Sequence, residues 1–237
     1  MSEEYTDKDD HHQPESSQEE KKEIKPTSLL LVRHALNDWV GDRLAGWTPE
    51  VHLNDKGRAQ AEALAERLAK ESIAAVYSSP LERAVETAEI VAAPHRLEVH
   101  IREGLGEVRY GEWTGQSLKD LAKEEAWRVV QFYPSGARFP GGEAIREMQA
   151  RAVAELDAIV AAHPGQTVMA VSHADVLKAV LAHYTGMHLD LFQRLVVSPA
   201  SLSVVAFTPM GPRLIALNDT GHVPPEKESN QQNPEDK

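Results

Sequence analysis

Residues 28–34 read SLLLVRH: an apolar run from Leu29 to Val32 that stops at Arg33 and His34. A short run with no polar interruption fits a strand buried on both faces, as in a parallel sheet covered by helices. The chain downstream supplies matching pieces. Leu53–Lys70 opens on Asn54 as a helix N-cap and carries Ala61, Leu64, Ala65 and Leu68 at helical spacing. Ala74–Ser78 is a second strand, and Leu81–Ala92 a helix with Pro80 at its first turn. Leu97–Ile101 alternates, as a third strand would. Ser117–Gln131 is helical in pattern, and Phe132–Gly142, rich in Gly and Pro, is a loop. Glu143–Ala162 is a long helix with Ile145, Met148, Ala152, Leu156 and Ile159 along one stripe. Thr167–Val171 is a strand ending in Ser172-His173, and a helix follows to about His183. Asp190–Val197 reads as a helix end or an edge strand. Leu202–Phe207 and Arg213–Leu217 close the domain as two strands, with Pro209, Gly211 and Pro212 between them. Strands alternating with helices predict an α/β fold, a three-layer α/β/α sandwich around a mostly parallel sheet.

In such folds ligands bind beyond the carboxyl ends of the strands. Three strand ends then matter: Arg33-His34, Ser78–Arg83 and Ser172-His173. They would gather two arginines and two histidines at one sheet edge. Guanidinium forks pair with phosphate oxygens, and helices starting near Pro80 and His173 would point their N–H groups at the same place. Imidazole is a competent nucleophile at neutral pH. The combination points to phosphoryl transfer through a phosphohistidine. No Walker A, GxGxxG or HExxH pattern occurs, so the expectation is a reaction with no nucleotide cofactor and no metal.

The stretch 31–34, LVRH, resembles the strand-end signature of the histidine phosphatase superfamily, whose fold is phosphoglycerate-mutase-like. Further matches follow in the family's order: LNDKGR at 53–58, SSPLERA at 78–84, LGE at 105–107 with GEWTG at 111–115, FPGGE at 139–143 and VSH at 171–173. Together they span roughly Leu29 to Leu217. The resemblance implies that His34 attacks phosphorus, that Arg33, Arg83 and His173 hold the phosphoryl oxygens, and that Glu107 is the acid/base. Ala35 stands where the pattern has glycine and Val40 where it has a phosphate-contacting asparagine. Asn37 offers a replacement amide to the phosphate.

The chain has 237 residues, 41% hydrophobic and 26% charged, and no cysteine. That excludes a disulfide framework and a thiolate nucleophile. A net charge of -12 excludes a general nucleic-acid binder and an anionic membrane as partner. There is no apolar run long enough to span a bilayer and no secretory leader in the acidic N-terminal stretch, so a cytoplasmic protein is expected. Residues 1–26 hold nine acids and four bases, and residues 224–237 four acids and two bases without an apolar side chain. Both read as disordered tails around a single domain at 27–223. His11 and His12 fall in the first tail, as solvated residues. The expected function is a phosphomonoesterase acting on a small phosphorylated metabolite. A phosphoglycerate mutase or other phosphomutase is the alternative, and a phosphate-sensing module that has lost turnover is a third reading. Hydrolysis is favoured because Leu118–Gln131 offers Lys119, Lys123 and Arg128 diluted by Asp120, Glu124 and Glu125.

Overall fold

The opening strand β1, Thr27–Arg33, is flanked in a computed structural model that describes residues 25–223. Helix α1 (Asp55–Leu68), strand β2 (Ile73–Ser78), helix α2 (Glu82–Ala92) and strand β3 (Val99–Ile101) follow it. Two short helices, α3 (Leu118–Leu121) and α4 (Glu125–Phe132), precede the long α5 (Ile145–Ala162). The chain ends with β4 (Thr167–Ser172), α6 (Ala174–Tyr184), β5 (Leu202–Thr208) and β6 (Gly211–Asp219). The tails expected at 1–26 and 224–237, His11 and His12 included, lie outside the described residues except for Lys25 and Pro26.

One six-stranded sheet runs in the order β3-β2-β4-β1-β5-β6. The pairs β1–β4, β2–β4 and β2–β3 are parallel, while β5 runs against both β1 and β6. Alternation along each strand divides the core. Leu30, Val32, Val76, Met169 and Val171 face α1 and α2, where Leu64, Leu68, Ala88 and Val91 meet them. Leu29, Leu31, Tyr77, Val168 and Ala170 face α5 and α6, against Met148, Leu156 and Val180. Two buried faces explain the uninterrupted apolar run of β1, and each fully buried Leu or Val contributes roughly 1.5–3 kcal/mol. Among the described residues no helix is long and apolar enough to cross a membrane.

The start of α1 shows how local signals fix the chain beyond β1. Asn54 caps the helix by accepting from the Gly57 N–H at 2.9 Å. A Cβ on Gly57 would fall 1.9 Å from the Leu36 carbonyl oxygen, so glycine alone permits this approach. The same carbonyl accepts from the Asn54 N–H, and the Leu36 N–H donates to Gln60 Oε1 at 3.0 Å. The turn that follows His34 is thereby locked to the first helix. Ala35 needs no glycine: its φ is not positive, its N–H donates to Thr87 Oγ1, and its Cβ packs with Leu53, Ala61 and Ala200.

Several expectations need correction. The helix read over Ser117–Gln131 is two helices. Ser117 caps α3, and Glu124 is extended before α4 begins. Leu118 and Trp127 are nine residues apart, which in one continuous helix would put them on opposite faces; the break lets both line the same cavity. The third strand shortens to Val99–Ile101. Pro80 stands before the α2 N-cap, Leu81, not in the first turn. Gly211 and Pro212 belong to β6, an edge strand where proline's missing N–H is tolerated. Asp190–Val197 is neither helix end nor strand: it holds a 3-10 turn, Leu189–Arg194, followed by extended chain.

Candidate active site

Register brings the three strand ends together. Arg33 lies opposite Ser172, and Ser78 opposite Val171. The His34 N–H donates to the Ser172 carbonyl at 2.9 Å. His34 and His173 therefore face each other with ring centroids 5.2 Å apart. His34 Nδ1 is 2.8 Å from the Ala35 carbonyl oxygen. A carbonyl can only accept, so Nδ1 carries the proton and Nε2 keeps its lone pair. Burial, then Arg83 and Arg33, hold the His34 pKa well below the ordinary 6.5; the ring is neutral at physiological pH.

Around that ring stand buried donors. Arg83, the second residue of α2, is 1% exposed. Its Nη2 donates to the Gly46 carbonyl at 2.8 Å, and its Nη1 is buried with no partner among the described residues. Arg33 Nη1 donates to the Val197 carbonyl at 2.7 Å, while its Nε is buried and unpartnered. Neither guanidinium has a carboxylate within ion-pairing distance among the described residues. Burial pulls both below their ordinary pKa, opposed by Glu107; a guanidinium stays charged under such a shift. His173, at the N-cap of α6, meets Ser79 Oγ through Nε2 at 2.7 Å. Ser79 Oγ accepts from the Leu81 N–H and has no other acceptor than Nε2 for its own proton among the described residues, which leaves the His173 proton on Nδ1. That nitrogen too is buried without a partner. Burial, then Arg83 and His34, keep the His173 pKa well below its ordinary value.

Glu107 completes the group. Its Oε1 accepts from the Val108 N–H at 2.9 Å, and its Oε2 lies 3.9 Å from His173 Nδ1. Burial and then Asp175 raise its pKa to about 7, against the pull of Arg83. Glu103 and Glu112, the competing carboxylates nearby, are exposed. Asn37 is buried at the cavity wall. Its Oδ1 accepts from the Trp39 N–H, which turns the amide nitrogen into the end a ligand can use.

The site is thus a cavity of about 300 Å3 whose deep end holds Arg33, His34, Asn37, Arg83 and Glu107. Two unpaired buried cations and a third N–H donor, set around a neutral nucleophilic nitrogen, are built for a dianion that accepts attack at its centre. The N-termini of α2 and α6 add their positive ends. Among the described residues no three His, Asp or Glu side chains are grouped to hold a metal ion.

Among the residues that position this group, sequence reasoning missed Arg151 and Asp175. Arg151 of α5 donates to the Gly104, Gly106 and Glu107 carbonyls at 2.8–2.9 Å and forks onto both oxygens of Glu143. The Trp47 indole N–H also grips the Glu107 carbonyl, at 2.6 Å, and Arg109 stacks on the Trp47 ring. Asp175 and Tyr110, joined at 3.1 Å, line the cavity beside Glu107. The only signal for Arg151 is its place two helical turns beyond Glu143. The histidines without motif support (His52, His95, His100, His163, His183, His188 and His222) do not line the cavity. Arg138 pairs with Glu147 on the surface, and Arg43 lines the cavity.

A buried unpaired charge weakens the free protein and pays off only with an anion in place. Arg83→Met is therefore expected to melt no lower than wild type in phosphate-free buffer. Orthophosphate at 100-fold its Kd should raise the wild-type Tm by about 5–10 °C and leave the variant unmoved. Equal shifts in both proteins, read by thermal unfolding with and without phosphate, would contradict the assignment.

Known proteins resemble this chain in sequence and fold. The profile of the histidine phosphatase superfamily, branch 1, matches residues 29–220. Phosphoserine phosphatase 1 of Hydrogenobacter thermophilus is 31% identical over 199 residues, covering 82% of this chain and 93% of its own. The metal-independent phosphoserine phosphatase of Arabidopsis thaliana is 35% identical over 178 residues, 71% of this chain and 73% of that one. The solved structure of Bacillus stearothermophilus YhfR superposes with a TM-score of 0.79 at 30% identity, covering 84% of this chain and all of the other.

Proposed function

The chain belongs to the histidine phosphatase superfamily and is a phosphohydrolase, and from this we propose that it hydrolyses a small phosphomonoester, without a metal ion, through a phosphohistidine on His34. The observation that carries the reading is the set of three unpartnered buried donors, Arg33 Nε, Arg83 Nη1 and His173 Nδ1, around the unprotonated Nε2 of His34. The phosphoryl group sits among those donors, with the Asn37 amide as a fourth. Nε2 attacks phosphorus, and the bond from phosphorus to the ester oxygen breaks. Glu107, held protonated near neutrality by its raised pKa, gives its proton to the departing oxygen. The resulting carboxylate then takes a proton from water as that water attacks the phosphohistidine. The P–N bond breaks, orthophosphate leaves, and both side chains return to their starting states. The guanidiniums meet the charge on the equatorial oxygens in both steps.

Hydrolysis is favoured over mutase chemistry by the segment that covers the cavity. Leu118, Trp127, Val130 and Gln131 line it, whereas Lys119, Lys123 and Arg128 point to solvent. A mutase needs extra cationic grip to keep the phosphoryl group from water. The phosphate sensor loses ground because Ala35 packs without displacing the His34 turn.

The test is 31P NMR of a panel of sugar, nucleotide, glycerate and aryl phosphates with enzyme and excess EDTA. Orthophosphate equal to ester consumed, undiminished by chelator, is expected. An isomerised ester without orthophosphate would favour the mutase, and loss of activity with EDTA would remove the metal-free reading.

A further inference from the structure

The cavity has two unlike ends. The deep end presents unpaired donors to a phosphoryl group. Away from those donors much of the wall is carbon, made by Trp39, Val40, Leu118, Trp127, Val130 and Phe139, with the Gln131 amide among them. The charged groups that reach this outer part are already engaged with one another. Asp175 accepts from the Tyr110 hydroxyl at 3.1 Å and lies 3.6 Å from Lys178 Nζ, which donates to Gln193 Oε1 at 3.0 Å. Arg43 pairs with Asp42 at 3.2 Å and donates to the Gly115 carbonyl. The break between α3 and α4 is what turns Leu118, Trp127 and Val130 toward the cavity together.

A substrate carboxylate or ammonium seated here would give up its water and find no unpaired charge, only the neutral Gln131 amide, which is unfavourable. An apolar group would bury surface against the indoles and branched side chains. Building on the phosphatase reading above, we propose that the alcohol released is an uncharged apolar one, alkyl or arylalkyl, rather than an amino acid or a hydroxy acid. The phosphoryl end is read by charge and the leaving-group end by apolar contact, so the substrate is a hydrophobic phosphomonoester.

The experiment compares kcat/KM for three esters of primary alcohols, so that leaving-group chemistry is alike: 2-phenylethyl phosphate, O-phospho-L-serine and 3-phosphoglycerate. The phenylethyl ester should exceed each of the other two by about 10-fold or more. Parity, or preference for either acid, overturns the proposal and leaves the phosphatase reading standing. Release of orthophosphate from none of the three, nor from the wider panel, fails the phosphatase reading itself and this inference with it. Leu118→Lys places an unpaired cation on the outer wall at a half-buried position. It should raise kcat/KM for 3-phosphoglycerate and lower it for the phenylethyl ester, each by about 10-fold. An unchanged preference in a variant that melts cooperatively would contradict the role of this wall. The wild-type comparison decides the matter even if that variant does not fold.

Discussion

Replacing His34 by alanine should lower kcat by roughly 10^5-fold or more while the protein still unfolds cooperatively. No other group in the cavity can take its place. His173 Nε2 is occupied by Ser79 and its Nδ1 carries a proton, and the arginines have no lone pair to offer. Steady-state phosphate release on wild type and variant checks this, and a variant within tenfold of wild type would refute the nucleophile. A second readout comes from proton linkage. The His34 pKa is depressed in the folded state, so as pH falls below about 6.5 the unfolded chain takes up the proton first and stability drops. His173 behaves alike. Removing one of the two should make the loss of stability between pH 6.5 and 5 shallower, with no change in slope above pH 7.

Glu107→Gln should lower kcat for an alkyl phosphate by roughly 10^2–10^4-fold with KM little changed, because Gln can hold the Val108 N–H but cannot deliver a proton. For an ester with an activated leaving group, which departs without protonation, kcat/KM should fall much less. The pH dependence has a definite sign. Glu107 must be protonated for the first step, so wild-type kcat/KM falls as pH rises through about 7, and that limb should vanish in the variant. Stability moves the same way as activity. The raised pKa means that the folded state keeps a proton that the unfolded chain loses near 4.5. Stability is therefore greatest below that pH and declines as pH rises through 7. At pH 8 the ionised buried carboxylate costs on the order of 3 kcal/mol, so the variant should melt above wild type there and not at pH 5. A variant that keeps the wild-type rate on alkyl esters would remove Glu107 from the acid role.

What could be read from sequence follows from how each residue is placed. Arg33, His34 and His173 sit at strand ends, and Arg83 opens the helix after a strand end. In a parallel sheet all such ends share one edge, so apolar runs and their terminators suffice to gather them. Glu107 is different. It lies in irregular chain between β3 and α3, where no register fixes a position, and only its motif set it apart from Glu103 and Glu112. Arg151 was invisible because its partners are backbone carbonyls 44–47 residues away, and nothing in local pattern announces a carbonyl. The Gly46 and Val197 carbonyls that orient the two arginines escaped for the same reason. The α3–α4 break was illegible because the sequence there is helical throughout; only the demand of the cavity for Leu118 and Trp127 on one side separates the pieces. Asn54, Gly57 and Gln60 stand between these cases. Their spacing marked a helix start, but the structure adds that all three fasten the turn carrying the nucleophile.

The central claim is that the phosphoryl group passes through His34. The most direct measurement is rapid quench in alkali after mixing enzyme with 2,4-dinitrophenyl phosphate, followed by mass spectrometry of the peptides. The activated ester speeds the first step relative to the second, so the intermediate accumulates. The account predicts a burst of dinitrophenolate and an alkali-stable phosphoryl group on the His34 peptide. Linear release with no phosphorylated histidine, or a phosphoryl group on another residue, would contradict it.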